Sequence, residues 1–261
     1  MLSVKVFFWL CAPALLCAPA LLYAQLGSNA PSEFAVATIK PDTTATAPLT
    51  QIQGNRFVTL GTTFVDLFKY AYNVHPGQIV GGPDWLRTER FDVIADPETE
   101  KRPTSDQMKV MMQHLLVERF HLTMHKEQRL LSVYALVRMN TEPKLKPSTS
   151  DPNGIPAVGY EPKGELDAAN ATMANLATFL QRFVLDRPAV DQTGIQGHYD
   201  LTLRWTPDNL SADARASDST TGAAFPTLFT AIQEQLGLKL QPTKANTDAY
   251  IIDQAQKPVD N

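Results

Sequence analysis

Apolar and polar positions follow two different periods along this chain, and each change of period marks a predicted element. A helix is predicted after Thr63, where the i, i+3, i+4, i+7 spacing of a helix face is occupied by Phe64, Leu67, Phe68 and Ala71. Thr63 is the expected N-cap, because its hydroxyl can accept a hydrogen bond from a free amide of the first turn. The neighbouring segments alternate at every second residue, which is typical of strands.

The same helical pattern recurs in the second half of the chain. It begins at Thr172 and is occupied by Met173, Leu176, Ala177 and Leu180. Two strand patterns also recur: RFDVIA at 90–95 matches HYDLTL at 198–203, and ERFHLTMH at 118–125 matches EQLGLKLQ at 234–241. Matched spacing over several elements in the same order predicts an internal duplication.

Four residues have matched places in the two copies, and we expect them to be structural. Tyr134 follows the first ERFHLTMH-type strand at the same distance as Tyr250 follows the second, so both are expected at equivalent core positions. Asp92 and Asp200 each follow an aromatic residue in the matched strands. We expect each carboxylate to bond backbone amides or a neighbouring arginine, because a buried carboxylate needs such partners.

The order of elements predicts the α+β class. Each copy is predicted to run strand, helix, strand pair, helix, strand, strand, and the fold is two tandem copies of this unit, with helices packed on antiparallel sheets. We expect a lead-in strand plus the first repeat at residues 25–139, a linker rich in Pro, Lys and Ser at 140–164, and the second repeat at 165–261. The small, polar stretch 206–222 is predicted to be a mobile loop.

The N-terminal residues 1–24 have the order of a secretory signal peptide: one positive charge at Lys5, a long apolar run, and the small residue Ala24. A retained membrane anchor is the alternative, because the run from Val6 to Ala24 approaches the length that crosses a bilayer. The polar segment that follows favours cleavage near Ala24. We therefore expect a periplasmic or secreted protein that contacts a membrane only if this segment is retained.

Composition excludes further classes of function. Both cysteines, Cys11 and Cys17, lie in the segment expected to be removed, so the mature chain is predicted to have no disulfide and no thiolate site. The 23 Lys and Arg residues are outnumbered by 27 Asp and Glu residues, for a formal net charge of −4. Nucleic acids favour basic patches, so we expect no nucleic-acid partner. An envelope protein or a small ligand is the expected partner.

Motifs that carry catalysis are missing from the sequence. It has no Gly-x-Ser-x-Gly elbow, no His-Glu-x-x-His, no Ser-x-x-Lys and no phosphate-binding glycine loop. His121 and His125 are expected on one strand, about 13 Å apart, which is too far for both to bind one ion. We expect no catalytic residue, no metal and no cofactor. Paired carboxylates such as Asp92 and Asp96 leave a hydrolase that uses acidic residues as an alternative.

The turn in QIVGGPDWL, residues 78–86, is predicted from its glycines and proline. Gly81 and Gly82 allow positive φ, and Pro83 fixes the φ of the next turn residue. The second copy has no equivalent of this turn. We interpret all three residues as structural.

Trp85 is the candidate contact residue, and it has two interpretations. In the first, its ring covers the adjacent helix and leaves one edge exposed. In the second, Trp85 and Asp84 border a groove together with Tyr70 or Tyr72 and bind a ligand or partner, because aromatic residues with polar tips make good contact residues. We favour the cover and keep the groove as the alternative.

Several of these segments together resemble a known family. FAVATIKP, QIVGGPDWL, RFDVIA, LLVERFHLTMHKEQRLLSVYALV, KLKPS, RPAVDQTGIQGHYDLTLRWTPD and LFTAIQEQLGLKLQPTK span nearly the whole mature chain. They resemble the soil-associated exported protein family, a domain of unknown function that occurs in many copies in some soil bacteria. The resemblance implies export, offers no catalytic residues, and, through related domains fused to membrane metallopeptidases, suits a sensing or docking role. Gln192 stands where lysine is expected, which removes support for a basic residue there.

Three functions are compatible with these observations. The first is an exported, non-catalytic binding or sensing module that uses a surface between the two copies. The second is an extracytoplasmic hydrolase that uses acidic residues. The third is a structural module in envelope assembly, which rests on fold analogy alone.

Overall fold

The computed structural model describes residues 33–44, 48–99, 101–140, 142–154, 156–207 and 225–259. The expected signal peptide, both cysteines and most of the loop expected at 206–222 lie outside these residues. The unit Pro31–Asn261 is compact. Its mixture of strands and helices confirms the α+β class. Within the described residues, no helix is long and apolar enough to cross a membrane.

The first half of the described chain, residues 33–140, contains six strands and three helices. In order they are β1 (Phe34–Asp42), β2 (Leu49–Gln53), β3 (Arg56–Thr63), α1 (Phe64–Tyr72), β4 (Ile79–Gly81), α2 (Trp85–Thr88), β5 (Arg90–Pro97), α3 (Ser105–Phe120) and β6 (Thr123–Arg138). A single 3-10 turn, Pro76–Gln78, leads into β4. Thr63 is the N-cap of α1, as predicted, and accepts from the amide of Asp66.

The second half, residues 142–259, contains the remaining elements. They are β7 (Lys146–Pro147), β8 (Ala157–Glu161), β9 (Glu165–Ala171), α4 (Met173–Phe183), β10 (Ala189–Asp191), β11 (Tyr199–Arg204), α5 (Leu228–Ala231) and β12 (Leu238–Gln254). A π-helical turn, Ile232–Leu236, continues α5. Thr172 is the N-cap of α4, as predicted, and accepts from the amide of Asn175.

Two four-stranded antiparallel outer sheets have corresponding strand orders. The first half forms β1-β5-β3-β2, and the second half forms β7-β11-β9-β8. In the first sheet Lys40 lies opposite Asp92, and in the second Lys146 lies opposite Asp200. The segment 140–164, predicted as an extended linker, therefore contains β7 and β8, two strands of the second sheet. Their backbones pair in spite of the high content of Pro, Gly and Lys.

Each outer sheet has a β-bulge in the strand before its helix, and an aspartate contacts that bulge. Asp92 accepts from the amide of Gly61 at 2.8 Å, and Asp200 accepts from the amide of Asn170 at 3.0 Å. Both donors have a left-handed backbone, with φ of 59° at Gly61 and 56° at Asn170. The extra residue of a bulge loses its ladder partner, and here a carboxylate replaces that partner. Hydrogen bonds from Ser148 and from the Asn170 amide lower the pKa of Asp200.

A third sheet joins the two halves, and its order is β10-β6-β12-β4. The long strands β6 and β12 pair antiparallel in the centre. The short strand β10 of the second half pairs in parallel with β6 of the first, with Ala189 opposite Tyr134. In the same way β4 of the first half pairs with β12 of the second, with Ile79 opposite Tyr250. Each half thus contributes a short strand to the long strand of the other half.

The two hydrophobic cores show the same exchange. Tyr250 and Ile252, from the last strand of the chain, are buried in the core of the first half. Tyr134 and Leu136, from the last strand of the first half, are buried in the core of the second. Both tyrosines lie in strands and are nearly inaccessible to solvent. Neither core is complete without residues of the other half.

One expectation about the strand that follows α3 is corrected by the structure. His121, expected on a strand with His125, is the left-handed C-cap residue of α3, with φ of 47°. The strand β6 begins only at Thr123. His125 lies on that strand and its Nδ1 is 2.9 Å from the carboxylate of Asp253. An αL residue commonly ends a helix, and here it reverses the chain direction before β6.

A buried histidine contacts both halves near the central sheet. Nδ1 of His75 accepts from the amide of Gly77 at 2.9 Å, so the Nε2–H donates to the carbonyl of Leu185 at 3.3 Å. Burial lowers the pKa of His75; the hydrogen bond to Leu185 opposes this shift, Lys69 adds to it, and Asp186 opposes it. The neutral imidazole therefore connects the turn before β4 to the turn before β10.

We expect this histidine to make the folded protein less stable in acid. Its folded pKa is depressed below the unfolded value of about 6.5, so its contribution is full above that pH and is lost as the pH falls through the folded pKa. The variant His75→Asn keeps an acceptor for the Gly77 amide but does not titrate. Urea unfolding between pH 8 and pH 5 should show a shallower loss of unfolding free energy in the variant than in the wild type. Parallel losses in the two proteins would contradict this role.

Candidate functional site

A cavity of about 560 Å³ lies where the β2–β3 hairpin and helix α1 meet the last turn of α4. Residues of both halves line it. Its lining combines cationic side chains with aromatic and apolar ones, chiefly Lys69, Arg102, Arg182, Tyr70, Phe57 and Phe183. Its volume is in the range of small-molecule pockets, about 300–1,000 Å³.

Arg182 is the central cation of this cavity. Its Nη1 donates to Oδ1 of Asn73 at 3.0 Å. The guanidinium carbon lies 4.8 Å from the centre of the Phe183 ring and 5.7 Å from the centre of the Tyr70 ring. Burial lowers the pKa of the guanidinium, and Tyr70 opposes that shift. Among the described residues no carboxylate forms an ion pair with Arg182, so several of its five N–H donors are left to an incoming acceptor.

The end of helix α1 places the partner of Arg182. Asn73 is the C-cap of α1, with φ of 55° and ψ of 44° in the left-handed region. Asparagine is one of the few residues other than glycine that often adopts this conformation at a helix end. Its amide oxygen thereby reaches the second half of the chain, where Arg182 lies in the last turn of α4.

Tyr70 forms the aromatic wall of the cavity on the side of the first half. Its ring centre is 4.9 Å from that of Phe57, which is fully buried. Burial raises the pKa of the Tyr70 hydroxyl, and the positive charge of Arg182 opposes that effect. Tyr70 is thus held as a neutral phenol between the core and the cation.

The remaining charges make the cavity positive. Asp66 is engaged in the N-cap of α1, where its Oδ2 accepts from the amide and the hydroxyl of Thr63. Its Oδ1 also accepts from Lys69 at 3.5 Å, which partly neutralises that lysine. Arg102 is exposed and forms no ion pair with a described residue. Two arginines are therefore left without a carboxylate in one cavity.

Trp85 lies elsewhere, on the core of the first half. It is the first residue of α2 and is partly exposed. Its ring centre is 6.0 Å from that of Phe64, 6.3 Å from Phe91 and 6.4 Å from Phe120. Asp84, its N-cap, is exposed and makes no capping bond with its side chain. This geometry is that of a ring over a core with one edge in solvent.

The structure does not bring the four candidate contact residues into one groove. Tyr72 stacks on Phe68, with ring centres 4.3 Å apart, and contacts Tyr250 at 5.8 Å. Within the described part of the chain, no ring contact joins Trp85 to Tyr70 or Tyr72. Tyr70 alone lines the cavity between the halves. One member of the expected grouping is therefore at the candidate site, and a contact role for the other three stays a prediction.

The Gly-Gly-Pro turn has a steric reason for its glycines. Gly81 and Gly82 have φ of 77° and 71°. A Cβ added at Gly82 would lie 2.3 Å from Leu86 and 3.2 Å from Ile252, both of which are buried in the core. A side chain there would displace core residues. Pro83 follows, and its carbonyl accepts from the amide of Leu86.

The two arginines and Phe183 are not marked as site residues by any pattern in the sequence. Arg182 lies in the last turn of α4, and the amphipathic pattern of this helix marks it only as a polar residue. Its partners Asn73 and Tyr70 lie in the other half of the chain, so no local pattern connects them. The one available signal was Asn73, since an asparagine after an apolar helix face is a candidate left-handed cap.

The comparison with known families covers most of this site. A family profile described as "Protein of unknown function (DUF3738)" matches residues 65–255. The matched range includes Arg102, α4 and all of α1 except its first residue, whereas the β2–β3 hairpin precedes it. No curated protein and no solved structure matches the chain.

Replacing Trp85 distinguishes a core cover from a contact residue. Trp85→Ala removes three ring contacts and should lower the free energy of unfolding by about 3 kcal/mol, as large-to-small core changes do. Trp85→Phe keeps part of these contacts and should cost clearly less. Urea denaturation of the two variants beside the wild type measures both. If Trp85→Ala stays within about 0.5 kcal/mol of the wild type, as exposed substitutions do, the ring is not a cover.

Proposed function

This chain belongs to the family described as "Protein of unknown function (DUF3738)", and we propose that it works as an exported, non-catalytic binding module. Its ligand enters the cavity between α1 and α4. The soil association and multi-copy occurrence implied by the sequence resemblance are part of this proposal, as is a sensing role.

The half-buried guanidinium of Arg182 is the observation that carries this proposal. Removing a charge from water costs free energy unless a partner of opposite charge compensates it. In the described structure Arg182 has a neutral partner, Asn73, and two aromatic rings. A ligand that supplies a partner for the charge of Arg182 would lower the free energy of the folded state, and this gain would favour binding.

The chemistry of the cavity supports binding over catalysis. Asp66 is its carboxylate, and both oxygens are occupied by the Thr63 cap and Lys69. A general base needs an oxygen within reach of the substrate proton. The cations and rings that surround the space can hold a ligand through charge and ring contacts.

Two tandem copies are the proposed origin of the site. The matched strand orders, the Thr caps of α1 and α4, and the aspartates at the two bulges support this. After duplication, α1 and α4 would occupy equivalent places in the two copies. A cavity between their ends would then exist only when both copies pair.

Export is the proposed location of this activity, supported by the charge, apolar run and small residue of the N-terminal segment. We expect protein recovered from the periplasmic or culture fraction to begin at or near Gln25. Intact-mass spectrometry of protein expressed from the full-length chain measures this. Recovery of the whole apolar segment on soluble mature protein would overturn export with cleavage.

Binding at the cavity is tested by thermal unfolding with a panel of small molecules from several classes: anions, cations, neutral sugars and short peptides. A compound that binds only the folded state raises the melting temperature. We expect at least one class to do so in the wild type, with the rise lost in Arg182→Gln. The matched control is Arg138→Gln, which removes the same charge from an exposed position on β6 and should keep the rise.

Two outcomes would contradict the module. If no class raises the melting temperature, or if Arg182→Gln retains the full rise, the cavity is not a binding site. Turnover of an added compound that is lost when an acidic residue is replaced would favour the hydrolase instead.

A further inference from the structure

We propose that the cavity binds an aromatic acid, a small molecule with an anionic group attached to a flat ring system. This inference rests on the proposed function, because it names the ligand class of the same site. It follows from two properties of the lining that occur together, the uncompensated positive charge and the aromatic walls.

The anionic group is indicated by the balance of charge. Arg182, Arg102 and Lys69 line one cavity, and the single carboxylate there, Asp66, is already bonded to Thr63 and Lys69. A guanidinium presents planar, paired N–H donors that match a carboxylate or a phosphate. A cationic ligand would add repulsion to an already positive space, and a neutral one would leave Arg182 without a counter-ion.

The ring is indicated by the two aromatic residues next to Arg182. The ring centres of Tyr70 and Phe183 lie 5.7 and 4.8 Å from the guanidinium carbon. Phe183 is 44% exposed, so part of this large apolar ring is accessible to a ligand. Aromatic pairs favour offset or edge contacts beyond the gain from apolar burial. A flat ring can extend along these walls while its acid group reaches Arg182.

The size of the space favours a small molecule over a macromolecule. A concave volume of about 560 Å³ lies in the range of small-molecule sites and is large enough for a ligand of two or three rings. Two apolar lining residues belong to the first core and its margin: Phe57 is a core residue, and Ile52 packs against it.

The experiment compares ligands that differ in one property at a time. Isothermal titration calorimetry uses 2-naphthoate and 2-naphthyl phosphate as the aromatic anions. The comparison ligands are 2-naphthamide, which is neutral, 2-naphthylmethylamine, which is a cation, and acetate and inorganic phosphate, which have no ring. We expect at least one aromatic anion to bind at least about tenfold more tightly than any comparison ligand. The stronger of the two identifies carboxylate or phosphate as the preferred acid.

The variants assign the two parts of the ligand to residues. Arg182→Gln should weaken the aromatic anion at least about tenfold and should have little effect on 2-naphthamide. Tyr70→Leu should weaken every naphthyl ligand, whereas Tyr70→Phe, which keeps the ring, should bind like the wild type. Arg138→Gln is the charge-matched control and should bind like the wild type. The melting temperature of each variant without ligand shows whether it is folded. If Arg182→Gln does not fold, the comparison of Tyr70→Phe with Tyr70→Leu shows whether the ligand binds in this cavity.

The possible failures separate this inference from the function it rests on. In one outcome 2-naphthamide or 2-naphthylmethylamine binds as tightly as the aromatic anions or more tightly, and this binding is lost in the cavity variants. That result would overturn the aromatic acid as the ligand class but would keep the proposed binding module. Binding of acetate or phosphate as tight as that of the aromatic anions would overturn the role of the ring. If the aromatic anions bind but Arg182→Gln and Tyr70→Leu bind equally well, the site is elsewhere and the inference fails. Absence of binding by all six compounds overturns the inference, and the wider panel then decides the function.

Discussion

The antiparallel pairing of β6 with β12 is the interaction on which the rest of this structure depends. It runs from Arg138 opposite Leu238 to Thr123 opposite Gln254 and is the longest pairing in the described chain. It places β4 and β10 at the outer edges of the central sheet, each on the long strand of the other half. The two cores, the His75 contact and the cavity all require this arrangement. A one-residue slip in this register would turn Tyr134 and Tyr250 away from the cores that they complete.

The cavity is a consequence of where helices α1 and α4 end. Each helix begins with a threonine cap, and each has its own fixed start on an outer sheet. Their C-terminal turns meet where the two halves of the chain are in contact. There α1 contributes Tyr70 and its C-cap Asn73, and α4 contributes Arg182 and Phe183. The helix C-terminus carries a partial negative charge that favours a cation in the last turn, which suits Arg182 where it lies. At this position the guanidinium of Arg182 is also partly removed from bulk water. The helix end stabilises its charge, but no carboxylate of the described residues pairs with it.

The sequence predicted what is local and could not predict what is exchanged. Periodicity and capping chemistry identified α1 and α4 with their threonines, because these signals lie within one turn of helix. The partners of strands β4 and β10 have no such signal, since a three-residue apolar strand pairs equally well with several neighbours. Strands β7 and β8 were mistaken for linker because their Pro, Gly and Lys content is typical of loops. Tyr70 was singled out for its chemistry, but its true neighbour, Arg182, is linked to it only by tertiary structure.

The exchange of residues between the cores also determines when this chain can finish folding. The first core includes Tyr250 and Ile252, which lie close to the C-terminus. During synthesis or passage through a narrow channel, residues 33–140 would emerge with an apolar core that still lacks its last strand. Contacts of such high sequence separation form late and slowly, because long loops must close before they contribute. The first core therefore stays incomplete until β12 pairs, and a truncation that removes Tyr250 and Ile252 would damage the half of the molecule that is made first.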